Sequence, residues 1–321
     1  MSRILTLTLN PALDLALRMG ALRPGEVNRT LGTRLDAAGK GINVARVLAR
    51  LGHAVTVSGL LGADNEPPFV QAFTACGLTD AFIRIPGETR INVKISEPDG
   101  RVTDLNGAGP RVPPEALEAL FERAEALLPG LDAVAISGSL PPGVPPATLA
   151  HLITRIQARG VPVWLDTSGA ALVEGLGARP TAAKPNDVEL AEWAGEPLDT
   201  PAARLAAARR LNAQGIGEVL LSLGEDGVLW VSPEGALAAT PPRVPVVSTV
   251  GAGDTLLAGT LHGVLSGWPR ERTLRFATAL AAECVRHVGV GEADAPDFEQ
   301  LQHTTLVRDA GEAHRENQPC T

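Results

Sequence analysis

Gly251-Ala252-Gly253-Asp254 stands where an apolar run meets an amphipathic one. Val244 to Val247 reads as a short strand and Thr255 to Leu265 as a helix, so the glycines turn the chain at a helix start. Glycines let backbone N–H groups converge without steric cost, and the helix start adds partial positive charge. The product is an anion hole with a carboxylate inside it. That pairing suits removal of a proton from a hydroxyl that attacks a phosphoryl group. Asp254 as an ordinary helix cap is the other reading. A dinucleotide fingerprint is excluded, because Leu256 occupies the third glycine position.

A second glycine turn, Gly39-Lys40-Gly41, precedes a helical pattern through Ile42, Val47, Leu48 and Leu51 that ends at Gly52. No Ser or Thr follows Lys40, so this is not a Walker A loop. Lys40 and Asn43 either hold a polar ligand or belong to a plain cap. Asp14 follows the first strand, Ile4 to Leu9, at the end where open α/β sheets keep ligand groups; a loop Asp closing a turn is the alternative. Val27 to Asp36 is polar and irregular. Thr89 to Ile95 alternates strictly and returns through Glu97-Pro98-Asp99-Gly100 to Leu105. Its Arg90, Asn92 and Lys94 share one face, either a solvated surface or a lid turned toward a phosphate.

From Pro114 onward, helical and strand patterns alternate, with a last long helix from Arg270 to Val288. Such βα units imply a mostly parallel sheet flanked by helices. Asp14, Ser137-Gly138, Asp166, Asn186 and Ser222-Leu223-Gly224 would line one edge of it.

With 321 residues, 45% apolar and 20% charged, the chain has material for a sizeable core. A net charge of −8, 3% aromatics and no Tyr argue against a nucleic-acid partner. The three cysteines, Cys76, Cys284 and Cys320, are widely spaced, and the six histidines form no cluster. The expectation is a reduced, cytoplasmic protein without signal peptide or membrane span.

Six segments occur in order: Thr8 to Asp14, Ala38 to Ala45, Thr89 to Lys94, Ser137 to Pro141, Lys184-Pro185-Asn186-x-x-Glu189, and Ser248 to Asp254. Together they resemble the ribokinase-like (PfkB) sugar kinases, over about residues 3 to 292. The resemblance implies a ribokinase-like three-layer α/β sandwich with a mostly parallel central sheet and a small β lid. It implies one kinase domain over residues 1–300, lid segments at about 14–36 and 88–106, and a polar tail over 303–321. The branch most resembled phosphorylates fructose 1-phosphate on its 6-hydroxyl with ATP, giving fructose 1,6-bisphosphate. Kinases of tagatose 6-phosphate and fructose 6-phosphate are the enzymatic alternatives. A sugar-phosphate sensor is the alternative outside enzymes, opposed by the intact Asp254, Gly253 and Asn186.

The resemblance also distributes roles. Asp254 is the base, and Gly251, Ala252 and Gly253 form the anion hole. Asp14, Gly39, Lys40 and Asn43 hold the sugar. Arg90 pairs with its phosphate, assisted by Asn92, Lys94 and Ser139. Lys184, Asn186, Ser222, Gly224, Ser248, Val250, Gly251 and Gly253 contact nucleotide. Asn186 and Glu189 organise Mg²⁺ through water, and a monovalent cation is a further candidate cofactor. The turn Val288 to Gly291 borders the adenine. Lid pairing into a homodimer is implied as well. Ala38 departs from the Gly-Gly that many relatives carry before the lysine, and sugar-phosphate kinases tolerate it.

Overall fold

Strand runs such as Val134–Ile136 and Val219–Leu221 are fully apolar and buried, so helices must cover both of their faces. The computed structural model, which describes residues 1–311, meets that requirement. The chain opens with β1 (Arg3–Thr8), β2 (Ala12–Met19), β3 (Thr30–Ala38), α1 (Lys40–Arg50), β4 (Ala54–Gly62) and α2 (Pro67–Ala75). Next come β5 (Thr79–Asp80), β6 (Ile83–Ile85), β7 (Ile91–Ser96), β8 (Val102–Asn106) and α3 (Pro114–Leu127). The alternation continues through β9 (Ala133–Ser137), α4 (Ala147–Gln157), β10 (Val163–Asp166), α5 (Gly169–Gly177), β11 (Ala182–Ala183) and α6 (Asp187–Ala194). It closes with α7 (Pro201–Ala213), β12 (Glu218–Ser222), β13 (Val228–Ser232), β14 (Gly235–Thr240), α8 (Ala252–Leu265), α9 (Arg270–Cys284), α10 (Phe298–Thr304) and β15 (Leu306–Asp309).

The large sheet has the order β15-β14-β13-β12-β11-β10-β9-β1-β4-β5, with β6 also on β4. It is parallel from β12 to β5 and antiparallel from β12 to β15. One core packs α1, α2, α8 and α9 against it through Ile42, Leu48, Phe69, Leu257 and Leu280. The other packs α3, α4, α6 and α7 through Leu120, Leu149, Ile153, Leu190 and Leu211. This is the expected three-layer arrangement with a mostly parallel centre. A separate four-stranded sheet, β3-β2-β7-β8, carries Asp14, Asn92 and Lys94.

Several local expectations are corrected. Val244 to Val247 is not a strand. Pro241, Pro242 and Pro245 remove ladder donors, and the N–H groups of Val247 and Ser248 instead reach Val285 O at 2.7 and 3.1 Å. Residues 30–38 form β3 rather than an irregular stretch, because β2 supplies their partners. The helix from Arg270 ends at Cys284, not Val288, and α10 follows it. The expected tail from 303 begins inside α10 and contains β15, which completes the sheet edge against β14. Its remainder, 312–321, lies outside the described residues.

Candidate active site

The two glycine turns sit at the starts of two neighbouring helices. Gly39 caps α1 with φ 142°, and Gly251 caps α8 with φ 85°, both in the range that favours glycine. Gly41 is fixed by crowding, since a Cβ there would lie 2.4 Å from Thr8 Oγ1. Asn43 Nδ2 donates to Asp254 Oδ2 at 2.8 Å and ties α1 to α8. Asp254 is 5% exposed, and among the described residues its carboxylate is bonded by Asn43 rather than by an N–H of α8, so the plain-cap reading fails. Burial, then the nearby Asp166 carboxylate, pushes the Asp254 carboxyl up to about 6, against the pull of Asn43 and the lysines Lys40 and Lys184.

Asp166, at the end of β10, is fully buried between these two lysines. Lys40 Nζ donates to Oδ1 at 3.0 Å, and Lys184 Nζ pairs with Oδ2 at 3.3 Å. Burial would raise the Asp166 carboxyl, but Lys184 and Lys40 overcome it and hold it below the usual carboxylate range. Burial would likewise lower Lys40, yet the charges of Asp166, Asp254 and Glu189 hold its ammonium above the ordinary value. A Cβ on Gly253 would stand 3.3 Å from Lys184 Nζ, so the glycine turn before α8 and this lysine are adjacent.

Asn186 and Glu189 form a reciprocal capping box on α6. Glu189 N–H donates to Asn186 Oδ1 and Asn186 N–H to Glu189 Oε2, each at 2.8 Å. Asn186 Nδ2 and Glu189 Oε1 stay outside the box. Burial raises the Glu189 carboxyl. Ser222 lies beside this motif, with its N–H on Pro185 O at 3.1 Å. Gly224 opens a 3₁₀ turn just beyond it. Ser248 Oγ accepts from Val250 N at 3.2 Å in the segment before Gly251. Among the described residues no hydrogen bond or ion pair joins Gly224, Ser248 or Val250 to the lysine–Asp166 group.

On the small sheet, Asn92 Nδ2 donates to Asp14 Oδ1 at 2.9 Å, and Lys94 Nζ lies 3.7 Å from Asp14 Oδ2. The parallel register Asp14↔Asn92 brings them together. Arg90 is differently employed. Its guanidinium donates to Gly107 O and Asn10 O at 2.9 Å and to Pro11 O at 3.3 Å, leaving two N–H groups. Burial lowers the Arg90 guanidinium. Ser139 Oγ accepts from Asn10 Nδ2 at 3.3 Å.

Two residues outside the expected site set matter here. Asp166 organises both lysines, and its signal in the sequence was only a carboxylate ending an apolar strand. Asn10, 4% exposed, ties the β1 end to Ala108, Ser139 and Leu140. Its signal was only a strand stop.

Two glycine-started helices, a buried carboxylate and a lysine pair make an arrangement chemically suited to handling phosphate. The family model for pfkB family carbohydrate kinases matches residues 8–297, and the chain belongs to that family. It is 44% identical over 311 residues to 1-phosphofructokinase of Haemophilus influenzae, covering 95% of this chain and 99% of the relative. It is 46% identical over 296 residues to 1-phosphofructokinase of Escherichia coli K12, covering 92% and 95%. Among solved structures, phosphofructokinase-2 from Escherichia coli in complex with potassium superposes with TM-score 0.87 at 29% identity, covering 94% and 99%.

Proposed function

We propose that this chain transfers the γ-phosphoryl group of ATP to the 6-hydroxyl of fructose 1-phosphate. The observation that carries the reading is Asp254, a buried carboxylate at the start of α8 with its carboxyl near 6. A base with that value is ionised at neutral pH and still a useful proton acceptor. The similarity to relatives named 1-phosphofructokinase supports the substrate.

In this reading Asp254 takes the proton from the 6-hydroxyl as its oxygen bonds to the γ-phosphorus and the bond to the β-phosphate oxygen breaks. The N–H groups of Gly251 to Gly253, of which that of Ala252 also reaches Thr249 O at 3.4 Å, and the helix start face the charge on the transferred group. Lys184 lies against that turn and takes part of the same charge. Asn43 fixes the carboxylate, and Asp14, held by Asn92 and Lys94, receives sugar hydroxyls. Lys94 and the two remaining N–H groups of Arg90 hold the 1-phosphate, with Ser139, Gly39 and Lys40 along the sugar.

Nucleotide lies along Asn186, Ser222, Gly224, Ser248 and Val250. Mg²⁺ fits the leftover oxygen of Glu189. No group of three His, Cys, Asp or Glu among the described residues forms a dedicated metal cage, and Mg²⁺ commonly keeps its waters and binds few carboxylates. Bound there with ATP, it would neutralise phosphate charge. A monovalent cation is supported by the potassium in the Escherichia coli phosphofructokinase-2 structure alone.

In this reading the segments at about 14–36 and 88–106 form the lid that excludes water. The register Leu35↔Leu15↔Val93↔Leu105 gives this sheet one apolar face, on which Leu35 is 46% and Leu105 55% exposed. A second copy of the chain, as a homodimer, is the occupant we assign to it.

The test is ADP release with MgATP and fructose 1-phosphate, fructose 6-phosphate or tagatose 6-phosphate. The reading predicts kcat/KM for fructose 1-phosphate at least about tenfold above the others, a difference of about 1.4 kcal/mol in transition-state binding. Preference for either 6-phosphate would overturn the substrate.

A further inference from the structure

Beyond α9 the chain makes an irregular turn over 285–292 that braces the glycine turn on several sides. Val285 O accepts from Val247 and Ser248, just before that turn. Gly289 O lies 2.7 Å from where a Cβ on Gly251 would stand. The Cys284 thiol lies 3.7 Å from Gly289 O and 3.8 Å from Val250 O. Gly291 N–H donates to Oγ1 of Thr255, the residue after Asp254, at 3.2 Å.

An irregular segment needs something to fix it. Here that is Glu283, a carboxylate 4% exposed at the end of α9. Its Oε1 and Oε2 stand 2.9 and 3.2 Å from His287 Nε2, and Oε2 accepts from Glu292 N at 2.7 Å. Glu292 in turn accepts from Arg50 at the end of α1, at 2.9 Å. A carboxylate is costly to bury without partners. An apolar side chain could fill this end of α9 more cheaply, but it could not hold both the middle and the end of the turn.

We propose that Glu283 is a positioning residue for phosphoryl transfer. Its carboxylate sets the 285–292 turn, and that turn sets the backbone N–H groups of Gly251 to Gly253. This rests on the reading of those glycines as the anion hole. Glu283 touches neither substrate; it acts through Gly289 and Gly291.

The test compares Glu283→Ala, Glu283→Gln, His287→Ala and Asp254→Asn in MgATP turnover of fructose 1-phosphate, alongside thermal unfolding. Displacing the anion turn predicts a kcat loss on the order of 10–100-fold for Glu283→Ala, with KM for the sugar phosphate within about twofold. Glu283→Gln regains most of it, because the carboxamide oxygen still accepts from Glu292 N–H and its NH₂ can donate to the His287 ring. His287→Ala loses an intermediate amount, and it decides the matter if Glu283→Ala does not fold. Full kcat in a folded Glu283→Ala or in His287→Ala overturns the proposal. So does a change confined to melting temperature. Asp254→Asn separates the two readings. If it retains wild-type turnover, the site assignment itself fails. If it is inactive while the Glu283 and His287 variants keep full kcat, only the role of Glu283 fails.

Discussion

Asp254→Asn is expected to lose about 10²–10⁴-fold in kcat while the folded protein becomes more stable. The carboxamide keeps an oxygen for Asn43 Nδ2 but cannot take a proton from the sugar hydroxyl. The stability gain follows from the raised carboxyl. Between the ordinary 3.8 and about 6, the folded chain binds more protons at this site than the unfolded chain does. Stability therefore falls as pH rises through that window, and the whole cost stands at neutral pH. Asparagine removes the buried charge, for a gain on the order of 1–3 kcal/mol. Steady-state kinetics and calorimetry at pH 7.5 check both halves. In the wild type, kcat/KM should fall about tenfold per pH unit below 6, as the base is protonated. A variant that is active, or inactive and less stable, would count against a buried general base.

Asp166→Asn carries the second large effect, and it runs the other way in stability. The carboxylate is fully buried and shared by two lysines, and the Lys184 side chain is only 5% exposed. Removing one partner of a buried ion pair leaves an uncompensated charge, which costs about 3–5 kcal/mol. The Asp166 carboxyl is held below its ordinary value, so its contribution is present above 3.8 and lost as pH falls below it. The loss in the variant is thus fully expressed at neutral pH and visible in chemical denaturation. A second readout is specific to the site. The Asp166 charge helps raise the Asp254 carboxyl, so the acid limb of kcat/KM should move to lower pH. An unmoved limb in a folded variant would sever the electrostatic link between the two carboxylates.

The helix starts at Gly39 and Gly251 were legible because glycine turns and amphipathic spacing are local signals. So were the βα rhythm and the β7–β8 hairpin with its alternating faces. Asp166 was legible only as one strand end along an edge, not as the partner of two lysines, because Lys40 and Lys184 arrive from other strand ends. Asn186 and Glu189 have a spacing that suits both a capping box and a metal motif. The structure makes the first, and of the side-chain atoms left over only Glu189 Oε1 is an acceptor, since Asn186 Nδ2 is a donor. Val244 to Val247 is apolar enough for a strand, yet the prolines around it deny a ladder. β15 hides in a polar stretch because a short edge strand needs only a partner, and β14 provides one. Arg90 has a structural task that residue type alone does not reveal. A guanidinium suits phosphate, but here three of its donors tie the end of β1 to the segment after β8.

The central claim concerns which bond is made, so the most direct measurement is phosphorus NMR of the product formed from fructose 1-phosphate and MgATP. The account predicts one new phosphoester on the 6-oxygen, with the 1-phosphate retained and one ADP released for each ester formed. ADP release with only inorganic phosphate appearing, or a new ester on any other oxygen, would contradict it.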